Sequence, residues 1–268
     1  MAQLLKAEKK IRNKENREST RPHTVMEFEK ALLTSPRSSF LWIHYAAMLI
    51  ETQGPDSGRE LLKRAISKLD PTEEREKLNL HLALINLESH YGDSDSFDDS
   101  IEQALLTNNP ELIYRHKAKK QIDKGNFEEA EETLNYICKK FNKSIENWAL
   151  LCKFFLKDKK DEDGFKEAMR RGLQSTDNSI ELKKRIAVME YEYGSQERGR
   201  TIFETLIADK PNRADLWRVY IGMEIKYNTH EQVNELFEKV LTVKLSRSNL
   251  ENFEKMHQDY QSKIKNKN

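Results

Sequence analysis

The run DSDSFDDSIEQA opens like a calcium loop, with Asp93 and Asp95 at the first and third positions, where carboxylate oxygens would ligate a hard cation. The pattern then breaks. Position six is Asp98 where the loop needs glycine for its sharp turn, and position twelve is Ala104 where it needs a bidentate glutamate. The stretch Asp161–Gly164 fails in the same way, so the acidic run after Gly92 is expected to be a solvated loop between helices. Seven histidines occur, and none forms the H-E-x-x-H or H-x-x-x-H spacing that sets two imidazoles on one helix face. GPDSGRE lacks both the spacing and the Lys-Ser/Thr ending of a phosphate loop. Cys138 and Cys152 fit neither a disulfide framework nor a zinc set and read as small buried apolar residues. The expectation is a chain with no catalytic, metal or cofactor site.

Charge is the chemistry that remains. Basic residues gather at Arg115, Lys117, Lys119 and Lys120, at Lys153 and Lys157, at Lys183, Lys184 and Arg185, and at Arg213 and Arg218. If the first helices of a repeat line a groove, Arg115, Lys119, Lys153, Lys157, Lys184 and Arg218 are its candidate binding residues. The competing reading is that these charges only solvate helix faces. Trp42, Trp148 and Trp217 look structural, which leaves few aromatics to stack on bases. Both ends are basic. Lys6, Lys9, Lys10, Arg12, Lys14 and Arg17 face only Glu8, Glu15 and Glu18, and Lys255, Lys263, Lys265 and Lys267 face Asp259. Such ends suit phosphate contacts or nuclear import, or are simply solvated.

The elements that would position these residues follow from composition. Apolar residues make up 37% and charged residues 34% of 268, with a mean hydropathy of −0.84. That is lean for a compact α/β core. Disorder is disfavoured by three Trp, nine Tyr and eleven Phe at a net charge of +1. Nine Gly and six Pro leave room for long helices and little for a turn-rich β fold. No apolar stretch suits a secretory signal or a membrane span, so a soluble, reducing compartment is expected, without membrane or small-molecule partners.

Self-similarity supplies the architecture. Aligning second helices places Ala31, Ala65, Ala104, Tyr136, Gly172, Leu206 and Val240 in one slot, at separations of 34, 39, 32, 36, 34 and 34 residues. First-helix anchors run in step at Trp42, His81, Trp148 and Trp217, with His81 expected to fill a core slot. Gly54, Gly92, Gly125 and Gly194 fall where one helix should end, and glycine there suits a left-handed cap. Pro36, Pro71, Pro110 and Pro211 fall where one unit hands over to the next. Apolar residues three and four apart, as in Ile202, Phe203, Leu206 and Ile207, give each helix one sticky stripe. A lone hairpin cannot bury that stripe, so hairpins must stack. The expected fold is an all-α, right-handed solenoid of about six helical hairpins over residues 25–268, preceded by a basic arm at 1–24.

Several strings resemble the half-a-tetratricopeptide (HAT) repeats of RNA-processing factors. Trp42–Tyr45 and Trp217–Tyr220 match the W-x-x-Y of that repeat's first helix. Phe28-Glu29, Phe203-Glu204 and Phe237-Glu238 match the F-E of its second, and Tyr193-Gly194 with Arg198-Gly199-Arg200 matches the stretch between. More narrowly, FEKALLTSPRSSFLWIHY, EREKLNLHLALINLESHYG and ERGRTIFETLIADKPNRADLWRVYIGMEIK resemble the C-terminal HAT region of the eukaryotic rRNA biogenesis family RRP-five, over roughly residues 20–245. Departures are His81 in place of the family's Trp, the acidic run after Gly92, a shortened cap after Ser246, and the absence of the family's OB-type RNA-binding array. The resemblance implies a non-catalytic scaffold of the nucleus and nucleolus. It would dock proteins of the small-subunit processome, and pre-rRNA through weak phosphate contacts. HAT scaffolds of pre-mRNA splicing or 3′-end formation are the alternative.

Overall fold

The computed structural model describes residues 22–70 and 72–265, and these hold fourteen α-helices, one π-helical turn and no strand. Lys6, Lys9, Lys10, Arg12, Lys14, Arg17, Pro71 and Lys267 lie outside the described residues. In chain order the helices are α1 (Val25–Thr34), α2 (Ser39–Gln53), α3 (Pro55–Lys68), α4 (Glu74–Tyr91), α5 (Ser94–Leu105), α6 (Pro110–Asp123) and α7 (Phe127–Lys140), followed by α8 (Ile145–Lys153), α9 (Glu162–Ser175), α10 (Ile180–Tyr193), α11 (Gln196–Asp209), α12 (Ala214–Tyr227), α13 (His230–Leu241) and α14 (Arg247–Lys265). The π-turn Phe154–Lys159 continues α8. The fold class is all-α and built from repeated hairpins, as the period predicts. Among the described residues no helix is long and apolar enough to cross a membrane.

The chain divides after Lys120 into two compact units. In the first, α2 packs with α3 and α4 with α5, while α2 also touches α4, so first helices pair with first helices. Its main core runs from Phe28 and Leu32 through Trp42, Tyr45 and Leu62 to Leu84, and a second, smaller cluster holds Ile85, Ile101 and Ile113. In the second unit α8 packs with α9 and α10, and α10 with α11 and α12. There Phe203, Leu216, Trp217, Ile221, Val233, Phe237 and Phe253 form one continuous cluster.

Short polar residues start the helices. Thr24 and Glu27 form a reciprocal capping box on α1, and Ser38, Asp93, Asp161, Ser179 and Ser195 each accept a backbone N–H at the start of α2, α5, α9, α10 and α11. This corrects the expectation of a loop after Gly92. Asp93 accepts from Ser96 N at 2.9 Å and so turns DSDSFDD into the first turns of α5. Its carboxyl, held by Ser96, sits below its ordinary pKa.

The glycines at first-helix ends divide into two kinds. Gly54 and Gly125 have φ of +99° and +79°, in the region that favours glycine. Gly92 and Gly194 do not, contrary to the expected left-handed cap. At both, the space a Cβ would take is filled by the carboxylate of the glutamate four residues earlier, Glu88 or Glu190.

The second-helix slot also needs one correction. Ala65, Ala104, Leu206 and Val240 are buried, but Tyr136 is 43% exposed. Cys138 fills that slot, fully buried and 34 residues from both Ala104 and Gly172.

Candidate interaction surface

Most motif residues hold hairpins together and are not available to partners. Trp42, Trp148 and Trp217 each donate the indole N–H to a backbone oxygen six residues earlier: Pro36 at 2.8 Å, Asn142 at 2.7 Å and Pro211 at 2.9 Å. The hand-over segment therefore terminates one helix and also accepts the next helix's anchor. The F-E and W-x-x-Y strings meet across hairpins. Phe28 stacks on Tyr45 and Phe203 on Tyr220, each with ring centroids 5.1 Å apart, and the tyrosine hydroxyls reach Glu29 at 3.0 Å and Glu204 at 3.4 Å. Burial pushes the Tyr220 phenol well above its ordinary pKa. Phe237 instead stacks on His257 of α14, centroids 4.5 Å apart.

The arginines of these motifs are spent as well. Arg198 holds Glu190 at 2.9 Å and Glu162 at 3.0 Å. Arg200 lies 3.2 Å from Glu224, whose buried carboxylate also accepts from the Tyr191 hydroxyl and the Asn228 amide. These are ion pairs with satisfied partners, which offsets the cost of burying a carboxylate.

Two buried polar side chains stand apart. His81 is 3% exposed, its Nε2 lies 3.3 Å from Thr107 Oγ1, and its Nδ1 has no partner. Burial, then the Lys77 charge, lowers its pKa, so the ring is neutral in its slot. Asn147, beside Trp148, is fully buried with neither amide atom bonded. Burial pushes both Cys138 and Cys152 thiols up to about 12, which makes them inert rather than nucleophilic. Among the described residues no group of three or more His, Cys, Asp or Glu is placed to hold a metal.

The basic residues named from sequence fare differently. In the first unit Arg115 lies 3.5 Å from Glu111, with its Nε buried and unbonded, and Lys119 is exposed. In the second, Lys184 is drawn to Glu181 at 2.6 Å and Asp215 at 3.6 Å, tying α10 to α12. Arg185 likewise ties α10 to Glu146 of α8 at 3.2 Å. Arg218 points from α12 into solvent. Lys153 and Lys157 are the two that come together. Each places its ammonium 5.7 Å from the centre of the Tyr193 ring, at the end of α10.

The π-turn makes this arrangement. Widening the last turn of α8 keeps Phe154, Phe155 and Leu156 in the core, and the turn closes at Lys160, whose φ is +56°. Lys157 and Lys160 are thereby left on the surface. Between them and α10 lies a cleft of about 440 Å³, floored by Leu156 and walled by Tyr193, Glu162 and Arg198. Tyr193 is 38% exposed, so an aromatic outside the core does exist here. Its pairing with glycine reads as turn signature in the sequence, which hides the exposed ring.

Comparison with known proteins gives a consistent set of relatives. The fission yeast (Schizosaccharomyces pombe) rRNA biogenesis protein rrp5 is 36% identical over 204 residues, which is 75% of this chain and 12% of that protein. The human RRP5 homolog is 30% identical over 242 residues, 90% of this chain and 13% of that one. The Arabidopsis thaliana rRNA biogenesis protein RRP5 is 31% identical over 220 residues, 80% of this chain and 11% of its own length. The chain thus spans about an eighth of the length of the relatives it matches first. No family model matches the sequence. Among solved structures, a tetratricopeptide repeat protein from Parabacteroides merdae aligns at a TM-score of 0.42 and 18% identity, over 84% of this chain and 88% of that one. The strings that resemble the HAT region thus fall in a sequence whose relatives carry one name across yeast, plant and animal, and the chain belongs to the RRP5 family of rRNA biogenesis proteins.

Proposed function

We propose that the chain is a non-catalytic docking module of rRNA biogenesis, which holds proteins of the small-subunit precursor on its helical repeats in the nucleus and nucleolus. The similarity to proteins named for rRNA biogenesis carries the reading. The chemistry agrees with it. The polar motif residues are consumed in ties between hairpins, and the thiols are buried and protonated. What the repeats offer is a rigid surface, and rigidity lowers the entropy cost of docking. Residues 25–268 would act as one domain in this role, with pre-rRNA touched through lysine–phosphate contacts and no cofactor required.

The test is affinity purification of the chain followed by identification of what accompanies it. Small-subunit precursor proteins should be recovered, and depletion should lower small-subunit rRNA more than large-subunit rRNA. Recovery chiefly with spliceosomal or polyadenylation proteins would overturn the reading in favour of pre-mRNA processing.

A further inference from the structure

We propose that the cleft between the π-turn of α8 and the end of α10 binds a single-stranded RNA segment, with one base against Tyr193 and neighbouring phosphates on Lys153, Lys157 and Lys160. The proposal deepens the docking reading and rests on it for its biological setting.

The argument begins with charge. Lys153 and Lys157 both hold their ammonium groups over one tyrosine ring, whose face a base would share with or take from these mobile side chains, and Lys160 stands on the cleft wall. The opposing carboxylates are largely engaged elsewhere. Glu162 is held by Arg198 at 3.0 Å, Glu190 is buried under the same arginine, and Asp158 approaches Lys157 only to 3.9 Å. Three ammonium groups therefore present a positive site to an anion, unlike Lys184 and Arg185, whose charges are paired between helices.

Shape comes next. An acidic peptide would satisfy the lysines but leave the exposed Tyr193 ring without a flat partner. A nucleotide supplies both, because each phosphate is followed by a base whose π-face stacks on an aromatic side chain. The cleft is of the size of a small-ligand site, about 440 Å³, and admits a splayed base but not a duplex. A tyrosine also ends the first helix one repeat on, beside a lysine of its own helix that is drawn to Glu192. Tyr227 occupies the position in α12 that Tyr193 occupies in α10, with the Lys226 ammonium 4.8 Å from its ring centre. The lining groups that could read base edges, Glu162, Ser195 and Arg198, are bonded to one another or to Glu190, so the site should tolerate sequence.

The experiment uses the whole 268-residue chain and fluorescence anisotropy with two probes, a uridine decamer and a deca-glutamate peptide, across a salt series. The decamer should bind. Tyr193→Ala should weaken it roughly 5- to 150-fold, the range of one lost stacking contact, with the salt slope unchanged. Tyr193→Phe should keep the affinity. The double variant Lys153→Gln/Lys157→Gln should lower the salt slope by about 1.4, at about 0.7 per phosphate contact. Melting curves of each variant check the fold, and the lysine double variant, at one half-buried and one exposed position, keeps the test valid if Tyr193→Ala unfolds. Unchanged decamer binding in either Tyr193→Ala or the lysine double variant overturns the site. Equal binding of deca-glutamate, lost in the same variants, would make it an acidic-peptide site instead. Retention of small-subunit precursor proteins by a chain that binds no RNA would sink this proposal alone. Loss of those proteins with RNA binding intact would sink the docking reading and leave the cleft standing.

Discussion

Arg59 of α3 reaches forward to Glu88 of α4, its Nε 2.6 Å from a carboxylate oxygen on a side chain only 3% exposed. The second unit repeats the device, with Arg200 of α11 on Glu224 of α12. In each case a second helix grips the first helix of the next hairpin through charge, at the end of that helix, where the apolar stripe has run out. Arg59→Ala should destabilise the protein by about 3 kcal/mol, because it strands a buried carboxylate. Glu88→Gln should cost less, since Arg59 keeps Asp56 and part of its hydration. Urea unfolding of both variants measures the difference, and a loss below about 1 kcal/mol for Arg59→Ala would class the pair with exposed salt bridges.

Trp217 is 1% exposed and bonded to Pro211, so it is a packing anchor. Trp217→Ala should cost about 3–5 kcal/mol. Trp217→Phe should cost a fraction of that, keeping most of the apolar volume and losing the indole bond. Thermal unfolding reports both. An unchanged melting temperature with lost partner binding would mark the residue as a surface contact.

His81 should make the protein acid-sensitive. Its folded-state pKa lies below the ordinary value of 6.5, because the ring is desolvated and near Lys77. As pH falls through about 6.5, the unfolded chain takes up the proton first. The stability is therefore complete above that pH and is lost progressively below it, down to the folded-state pKa. One such group contributes at most about 1.4 kcal/mol per pH unit. Unfolding free energies measured between neutral and mildly acidic pH should show this slope in the parent chain and lose it in His81→Phe.

Sequence made the hairpin period legible wherever one residue does one geometric task per repeat. Trp42, Trp148 and Trp217 keep step because each must fill the same slot and bond the same hand-over carbonyl. It misled where two residues compete for a register. Tyr136 looks like the slot residue, but Cys138 fits between the helices and leaves the larger tyrosine outside, bonded to Lys140 at 2.9 Å. Acidic composition hid the first turns of α5, although Asp93 with Ser96 carried a capping signal. Lys153 and Lys157 were named from sequence, but their meeting at Tyr193 was not legible. It depends on a π-turn, and a one-residue widening leaves the run Phe154, Phe155, Leu156 looking like ordinary helix.

The last prediction concerns Asn147, which stands immediately before Trp148. The corresponding residues before His81 and Trp217 are Leu80 and Leu216, both fully buried. Asn147 thus occupies an apolar slot with an amide whose donor and acceptor meet no partner in the protein. An unsatisfied buried polar group costs about 1–3 kcal/mol, whereas leucine there would gain burial without desolvating anything polar. Asn147→Leu should therefore raise stability by about 1–3 kcal/mol, less any strain from the branched side chain in a slot shaped for a slightly smaller one. Asn147→Ala removes the amide without adding bulk and should fall between parent and leucine, because the cavity it leaves offsets part of the gain. Thermal and urea unfolding of the two variants rank them. A leucine variant less stable than the parent, with the alanine variant also below it, would mean that the amide makes a bond worth more than its burial costs, and the slot would then be polar by selection.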